Sequence, residues 1–156
     1  MKTELPIDGL DDLPGHYIRR LQQIAVGIFM DETEDVNITP VQFALLFAAS
    51  KQAGLDQRTL AGRIGLDTST IGAVVDRLES RELIERKVSL EDKRVRLLSV
   101  TPAGHNLLQS VIPAMLRAQE RMLAPLPPAD RTQFMAMVKR IVEENNAWSR
   151  AAKDAG

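Results

Sequence analysis

The feature that most constrains this chain is a pair of short helix-forming segments followed at once by two strand-forming segments. Asp56 is placed to cap the first short helix, and Gly65 falls where a left-handed residue commonly ends one. A second helix follows a tight turn. Residues 83–88 (LIERKV) and 94–100 (RVRLLSV) are rich in β-branched and apolar residues, and the polar stretch SLEDK between them is typical of a hairpin tip.

Two longer helices are predicted before this block. Apolar residues recur at steps of three and four from about Leu13 to Met30, which indicates a helix with one apolar face. The acidic stretch DETEDVN that follows is predicted to be a loop. Thr39 and Gln42 can form a capping box around Pro40, and the following VQFALLFAAS is apolar almost all round, which is typical of a buried helix.

Two further helices are predicted after the block. Thr101 can cap a helix that starts at Pro102, and Pro113 inside it should kink the helix or weaken one turn. The stretch PLPP breaks the chain, and a last helix is predicted from about Pro128 to Ser149. The residues predicted to face inward on this last helix are Phe134, Met137, Val138, Ile141, Val142 and Trp148.

This order of elements predicts a mainly α fold with a small β-hairpin, the winged helix-turn-helix arrangement. The length of 156 residues fits one structural unit with helical extensions. We expect an N-terminal helix and arm in residues 1–36, a winged helix-turn-helix lobe in residues 37–101 and C-terminal helices in residues 102–156.

Composition excludes several kinds of site. The chain has no cysteine, so disulfides, zinc ribbons and thiol nucleophiles are excluded, and its two histidines, His16 and His105, lie far apart in sequence, so no metal site is expected. No apolar run approaches the ~18 residues that a membrane-spanning helix needs. The acidic N-terminus lacks the apolar region of a secretory signal, so the expected compartment is the cytoplasm.

Charge is distributed unevenly along the chain. The formal net charge of −1 argues weakly against a nucleic-acid partner. However, residues 86–96 carry five basic side chains against two acidic ones, whereas residues 1–15 carry four acidic side chains against one lysine. A local basic feature on a neutral body is what a small DNA footprint requires. A solvated hairpin would carry the same charges, so charge alone leaves both interpretations open.

The second short helix, which starts at Asp67 or Thr68, has a small, hydroxylated outward face at its N-terminal end. The candidate DNA-binding residues on it are Thr68, Ser69, Thr70, Ala73 and Arg77. Small side chains let a helix lie close to base edges, and Arg77 can reach a phosphate or a guanine. The alternative is a capped surface helix whose hydroxyls serve only as caps. The hairpin that directly follows favours DNA binding.

The hairpin tip carries the other candidate residues. Asp92 lies two residues before Arg94 and can orient its guanidinium by charge-assisted hydrogen bonds, with Lys93 and Arg96 as neighbouring cations. An oriented cation on a narrow hairpin suits insertion into the minor groove, where negative potential is concentrated. The alternative is an exposed ion pair that contributes almost nothing to stability.

The segment LAGRIGLDTSTIGAVVDRLESRELIERKVSLEDKRVRLLSVTPAG resembles the core of the MarR family of transcription regulators. The matching pieces are VVDRLE, the hairpin entry at Leu83-Ile84, the Asp92-x-Arg94 tip and the exit LSVTPAG. The resemblance implies a homodimer whose N-terminal helix and last two helices intertwine. It also implies that the partner is double-stranded DNA, with a pseudo-palindromic operator whose half-sites are ~10 base pairs apart. The face of the second short helix would then lie on the major groove, and Arg94 in the minor groove.

Two positions depart from the family pattern. Glu82 stands where a glycine is usual, and a left-handed conformation there costs about 1–2 kcal/mol. Leu90 stands where the hairpin usually has a proline, which predicts a more flexible wing.

The strings LPGHYIRRLQQIA and TPVQFALL resemble the branch of the family that controls degradation of aromatic acids, which implies release from DNA by a small aromatic acid. The candidate effector residues are His16, Tyr17, Arg20, Phe43 and Phe47. Arg20 could pair with a carboxylate, while His16 or Tyr17 could bond a ring hydroxyl or nitrogen. The alternative is core packing for the two phenylalanines and a salt bridge for Arg20.

The leading hypothesis is therefore a ligand-responsive DNA-binding repressor with no cofactor. A second hypothesis is a winged-helix module that binds proteins and not DNA, which the acidic overall balance favours. An enzyme is disfavoured because the chain has no Ser-His-Asp spacing and no glycine-rich phosphate loop. Its adjacent carboxylates, Glu143 and Glu144, fit a charged helix face.

Overall fold

A computed structural model describes residues 8–149 of the chain. The ends of the predicted N-terminal arm and C-terminal segment lie outside the described residues. The helices are α1 (Pro14–Glu32), α2 (Pro40–Lys51), α3 (Gln57–Arg63), α4 (Thr68–Ser80), α5 (Pro102–Leu123) and α6 (Pro128–Asn145). The strands are β1 (Leu55–Asp56), β2 (Ile84–Val88) and β3 (Arg96–Val100), and single 3₁₀ turns lie at Leu10–Asp12, Glu34–Val36 and Asn146–Trp148.

Four helices begin at the side-chain caps that the sequence predicts. The capping box before α2 is complete: Gln42 N donates to Thr39 Oγ1 at 3.2 Å, and Thr39 N donates to Gln42 Oε1 at 3.1 Å. The side chains of Asp56, Asp67 and Thr101 cap α3, α4 and α5 by accepting from the backbone N–H three residues later, without the reciprocal bond. Each cap supplies an acceptor to a backbone N–H that the first helical turn leaves without a partner. Because these interactions are local, the helix starts follow from the sequence alone.

The sheet has three antiparallel strands with β3 in the middle. Ile84 pairs with Val100 across the hairpin, and Leu55 pairs with Leu98 on the other edge. The short edge strand β1 was not predicted, because its two residues carry no periodic pattern. The second hairpin strand begins at Arg96 and not at residue 94, because the hydrogen bonds at the hairpin tip occupy the preceding backbone.

The hydrophobic core lies between α2, α3, α4 and the sheet, and α5 covers it. Its fully buried side chains include Ile38, Leu45, Leu46, Leu60, Ile71, Val75, Leu78, Ile84, Leu98 and Val111. The helix predicted to be buried, α2, contributes to this core as its all-round apolar sequence requires. The core therefore holds α4 and the hairpin in one compact lobe.

Gly104 marks a close approach between α5 and the start of β2. A Cβ added at Gly104 would lie 2.1 Å from Leu83 O and 2.7 Å from Val100 Cγ1. The same junction is fixed by Thr101, whose backbone N donates to Leu83 O at 3.2 Å and whose hydroxyl donates to Glu82 O at 2.7 Å. Only glycine fits at position 104.

Left-handed residues end two of the turns around α4. Gly65 has φ +70°, as predicted for the end of α3, and Glu82 has φ +57°, the strained conformation anticipated where glycine is usual. Arg81, beside Glu82, donates to the carbonyls of Asn37 (2.8 Å) and Val36 (3.1 Å). The C-terminal end of α4 is therefore tied to the connection between α1 and α2.

One helix prediction needs correction. The acidic stretch after α1 is not a plain loop: α1 continues to Glu32 and a 3₁₀ turn follows, because the buried hydroxyl of Thr33 donates to Phe29 O at 2.8 Å and extends the helical path. Helix α5 is continuous from Pro102 to Leu123, with the exposed Pro113 inside it. Because proline has no backbone N–H, the turn at Pro113 lacks one hydrogen bond to the preceding turn.

The inward face predicted for the last helix is wrong for the single chain. No residue of α6 is buried, and Ile141 remains 55% exposed and Trp148 79% exposed. The apolar residues of the first half of α1, among them Tyr17 and Ile18, are also half exposed. Their periodicity defines an apolar face, but the core of this chain does not cover that face.

Candidate nucleic-acid interface

Helix α4 presents its candidate residues on one outward face. Thr68, Ser69, Thr70, Ala73 and Arg77 are all exposed. The opposite face is buried in the core through three residues, Ile71, Val75 and Leu78. The fold therefore presents the small and hydroxylated face at the surface, as the pattern of α4 predicts.

The hydroxyls at the start of α4 converge on the capping carboxylate. Asp67 Oδ1 accepts from Thr70 N at 2.8 Å, from Ser69 Oγ at 2.5 Å and from Thr70 Oγ1 at 2.8 Å. In the chain without DNA, these hydroxyls therefore support the cap. A base or phosphate that engages them would replace a hydrogen bond that already exists.

The acidic residues near Arg77 on α4, Asp76 and Glu79, form ion pairs with Arg86 and not with Arg77. Arg86 of β2 forms ion pairs with Asp76 and, at 3.4 Å, with Glu79. The carboxylate of Asp76 raises the pKa of the Arg86 guanidinium, and Glu79 acts in the same direction. Within the part of the chain that the structure describes, Arg77 forms no side-chain ion pair. Sequence reasoning missed Arg86 as the link between α4 and the hairpin.

The hairpin tip has the predicted pairing of Asp92 and Arg94. Arg94 Nε donates to Asp92 Oδ1 at 3.1 Å, Arg94 Nη2 donates to Oδ2 at 2.9 Å, and Arg94 N also donates to Oδ1 at 3.0 Å. The side chain of Arg94 is nevertheless 91% exposed. Hydrogen bonds from Arg94 hold the pKa of the Asp92 carboxyl below its usual range. The guanidinium is thus oriented and fully presented to solvent.

Further hydrogen bonds fix the rest of the tip. Arg96 Nη1 donates to Lys93 O at 2.8 Å, and Ser89 Oγ accepts from Asp92 N at 3.3 Å. Leu90, which stands in place of the family's proline, is fully exposed. The Ser89 hydroxyl accepts hydrogen bonds from the backbone N–H groups of Glu91 and Asp92, which constrains the loop around Leu90.

A groove runs between the start of α3, the start of α4 and the hairpin tip. It has a volume of about 540 Å³ and is open to solvent. Its lining residues are Asp56, Gln57, Arg58, Thr68, Ile71, Asp92, Arg94, Val95 and Arg96. Sequence reasoning did not single out Gln57 or Arg58. The available signal was their position directly after the Asp56 cap, on the first helix of the helix-turn-helix.

The candidate effector residues form two separate groups in the single chain. On α1, the rings of His16 and Tyr17 are edge-to-face at 5.6 Å, and Arg20 is exposed. On α2, Phe43 and Phe47 stack at 5.8 Å. The chain does not bring the two groups into one pocket.

The separation follows from the length of α1. Phe43 packs at 5.9 Å against Phe29, which lies thirteen residues after His16 and therefore about 20 Å along the helix. Lys51 Nζ lies 4.7 Å from the centre of the Phe47 ring, a cation that the sequence analysis did not consider.

Residues 8–149 contain no cluster of three or more acidic or histidine side chains that could hold a metal ion. None of the helices in this range is long and apolar enough to span a membrane.

The sequence and the fold are both similar to known regulators. The model of the MarR family matches residues 38–95. Over 133 residues the chain is 31% identical to a protein assigned to transcriptional regulation of the hcr operon in Thauera aromatica. That match covers 85% of this chain and 80% of the relative.

Two solved structures extend the similarity to the whole fold. The transcriptional repressor CouR of Rhodococcus jostii, bound to a 23-mer DNA duplex, has a TM-score of 0.80 at 27% identity and covers 90% of this chain and 99% of its own. The DNA binding of BpsR of Bordetella bronchiseptica is regulated by 6-hydroxynicotinic acid. Its structure has a TM-score of 0.81 at 25% identity, and the match covers 86% of this chain and 96% of BpsR. The chain therefore belongs to the MarR family of winged helix-turn-helix transcription regulators.

Proposed function

We propose that this protein is a sequence-specific DNA-binding repressor that acts as a homodimer and is released by a small aromatic acid. The observation that carries the proposal is that α4 and the hairpin tip line the same groove. One lobe presents a small, hydroxylated helix face beside an arginine held by Asp92. The related repressor CouR is bound to a 23-mer DNA duplex, which supports DNA as the partner of this fold.

In this proposal α4 enters the major groove, which is wide enough to admit a helix and displays a distinct pattern at each base pair. Ser69, Thr70 and Ala73 lie closest to the bases, and Arg77 reaches a guanine or a phosphate. Arg94 enters the adjacent minor groove, and Lys93 and Arg96 contact its phosphates. The carboxylate of Asp92 fixes the direction of the Arg94 guanidinium before binding, so less conformational entropy is lost on DNA.

The homodimer accounts for the apolar surface that the single chain leaves open. The exposed apolar residues of α1 and α6 include Tyr17, Ile18, Ile141 and Val142. A second copy that covers them would place two lobes on one side of the duplex, with half-sites about one helical turn apart. Such a protein acts on DNA in the cytoplasm, and we assign it neither a cofactor nor a catalytic role.

For the effector, we propose an aromatic carboxylate paired with Arg20, with His16 or Tyr17 bonding a ring substituent. The support is chemical: a cation beside aromatic rings suits an anionic aromatic compound. The DNA binding of BpsR responds to 6-hydroxynicotinic acid, a compound of this class. Because α1 and α2 of one chain hold the candidate residues apart, a pocket containing both groups requires the second copy.

The test is fluorescence anisotropy on the DNA upstream of the protein's own gene, titrated with salt. We expect affinity that falls steeply as salt rises and exceeds that for a scrambled duplex by about 10³ or more. Replacing Arg94 by Ala should weaken binding by roughly 10- to 100-fold, because one oriented minor-groove cation is lost. Arg140→Ala on α6, away from the lobe, is the matched control and should bind like the wild type.

Two results would contradict this function. Binding of a partner protein without any salt-dependent binding of DNA would favour the interaction module, since no counterions would be released. An Arg94→Ala variant with full DNA affinity would remove the hairpin from the interface. Once binding is established, 6-hydroxynicotinic acid is the first compound to add, and Arg20→Ala should reduce its ability to release the DNA.

A further inference from the structure

We propose that Leu90, at the start of the hairpin loop, packs into the minor groove beside Arg94 and disfavours base pairs that contain guanine at that position. The inference rests on the proposed function, which places Arg94 in the minor groove, and it deepens that function by assigning the hairpin a preference for sequence. The loop attracts DNA through one side chain and selects among sequences through the other.

Leu90 and Arg94 lie at the two ends of one short loop. Ser89 N donates to Val95 O at 3.0 Å across the hairpin, so residues 90–94 form its tip. Residues that face each other in an antiparallel pair have Cα atoms about 5 Å apart. Leu90 and Arg94 therefore leave the hairpin side by side, and a minor groove that receives the guanidinium lies within reach of the leucine side chain.

The side chain of Leu90 makes no packing contribution to the folded chain. It is fully exposed, at 101%, whereas Val88 on the adjoining strand is 49% exposed. A single exposed leucine is ordinary on most protein surfaces. On a loop that we place against DNA, however, the same side chain leaves water when the complex forms, and apolar side chains of this kind enter the minor groove in other DNA-binding proteins.

Other residues hold the loop in shape. Ser89 Oγ accepts from the backbone N–H groups of Glu91 and Asp92, at 3.2 and 3.3 Å. Val95 N donates to Asp92 O at 2.9 Å. The loop that carries Leu90 is therefore ordered before DNA binds, so little conformational entropy is lost when the leucine becomes buried. A substitution at Leu90 should leave the hairpin intact.

Guanine is the base that these two side chains cannot satisfy. A·T pairs present only hydrogen-bond acceptors in the minor groove, to which Arg94 can donate, whereas G·C pairs add the N2 amino donor of guanine. Neither leucine nor arginine has an acceptor in its side chain, and both carboxylate oxygens of Asp92 already accept from Arg94. Leu90 also excludes the water that otherwise accepts from the amino group. The donor is left without a partner, which is unfavourable.

The experiment compares G·C with I·C base pairs across the DNA upstream of the protein's own gene. Inosine lacks the N2 amino group of guanine but presents the same O6 and N7 acceptors in the major groove, so α4 meets the same pattern. Successive short blocks of the duplex are replaced by G·C or by I·C pairs, and the affinity for each duplex is measured by fluorescence anisotropy. The ratio of the two affinities at each block isolates the minor groove.

We expect the wild type to bind I·C about 5-fold more tightly than G·C in one block of each half-site, where the hairpin contacts the DNA. Leu90→Ser should reduce this ratio to about 2-fold or less, because the small hydroxyl side chain can accept from the amino group and admits water. Leu90→Met is the matched control, since it keeps an apolar side chain of similar volume and should keep the ratio.

Two further measurements separate a DNA contact from a structural role. Leu90→Ser should melt at the wild-type temperature, because the leucine side chain is fully exposed. Its affinity for the upstream DNA should fall by about 5-fold at every salt concentration, with an unchanged slope of log affinity against log salt, because an apolar contact releases no counterions. Arg94→Ala, by contrast, should lower both the affinity and the slope.

The outcomes distinguish this inference from the proposed function. If the wild type binds the upstream DNA specifically and no block shows a difference between G·C and I·C, Leu90 does not act in the minor groove, while the proposed function stands. If the difference appears but is the same in Leu90→Ser, it belongs to Arg94 and the assignment to Leu90 is wrong. If the wild type binds neither the upstream nor the scrambled duplex at low salt, both the function and the inference are overturned.

Discussion

Two regions of this chain both have helices with apolar side chains but bury those side chains to different extents. In the lobe from α2 to β3, with α5 against it, side chains such as Leu45, Leu60 and Leu98 are fully buried. In α6 no residue is buried, and the first half of α1 is also largely exposed. The lobe is complete within one chain, whereas the outer helices present apolar surface that one chain does not cover.

Ion pairs connect the two regions where the end of α1 meets α5. Glu32 at the end of α1 pairs with Arg117 and Arg121 of α5, both at 2.8 Å, and Asp31 pairs with Arg121 at 2.6 Å. The side chain of Glu32 is only 14% exposed. Hydrogen bonds from Arg121 and then Arg117 hold the pKa of the Glu32 carboxyl below its ordinary value. The end of α1 is thus fixed to α5 even though the start of α1 is not covered.

The largest effect is expected inside the complete region. Gly104→Ala places a Cβ 2.1 Å from the backbone oxygen of Leu83, so either α5 or β2 must move. We expect the free energy of unfolding to fall by about 3 kcal/mol, a large part of the stability of an ordinary domain. Chemical denaturation measures this. The control is Gly62→Ala in α3, where a Cβ would meet nothing within 4 Å. If Gly104→Ala unfolds at the same denaturant concentration as this control, the contact between α5 and the start of β2 can adjust without loss of stability.

The next effect tests the incomplete region. Ile141→Asp puts a charge on the exposed apolar face of α6, where we propose that the second copy packs. Burying that charge should raise the dimer dissociation constant by at least about 100-fold, while the helical content of the lobe is retained. Analytical ultracentrifugation and circular dichroism measure the two quantities. Lys139→Gln on the same helix is the control, and an unchanged dimer in Ile141→Asp would rule out this face as the interface.

The smallest effect is expected at the boundary and depends on pH. Because the pKa of Glu32 is lower in the folded chain than its ordinary value of 4.5, its ion pairs stabilise the fold above that value, and the stabilisation is lost as pH falls through the folded-state pKa. The wild type should therefore melt above Glu32→Gln at neutral pH, and the difference should shrink as pH falls below the ordinary value and vanish once pH is below the folded-state pKa. Glu34→Gln, on the exposed turn after α1, should melt like the wild type. If the melting temperatures of the wild type and Glu32→Gln still differ in acid, Glu32 stabilises the fold through packing and not through its charge.

The comparison of the two regions also explains what the sequence could predict. Helix starts at Thr39, Asp56 and Thr101 were predictable because a cap acts within three residues. The pairing of Asp92 with Arg94 was predictable for the same reason. The strand β1 was not, since only the register of Leu55 against Leu98 creates it. Such pairing joins residues that are remote in sequence.

The candidate site shows the same limit. Spacing placed His16, Tyr17 and Arg20 along α1 but could not reveal how far they lie from Phe47 on α2. The spacing of apolar residues also predicted an apolar face on α6, but it could not show whether the same chain or another molecule covers that face. The groove around Arg58 was missed because three separate segments of the chain form it, and none of them carries a recognisable pattern alone.

The carboxylate of Asp67 has a consequence for how this protein could be redirected. Its hydrogen bond from the backbone N–H of Thr70 caps α4 with any residue other than proline at position 70. The two hydroxyls add to that cap but are not the whole of it. If positions 69 and 70 read the bases as we propose, exchanging their side chains should change the preferred operator while the helix keeps its start.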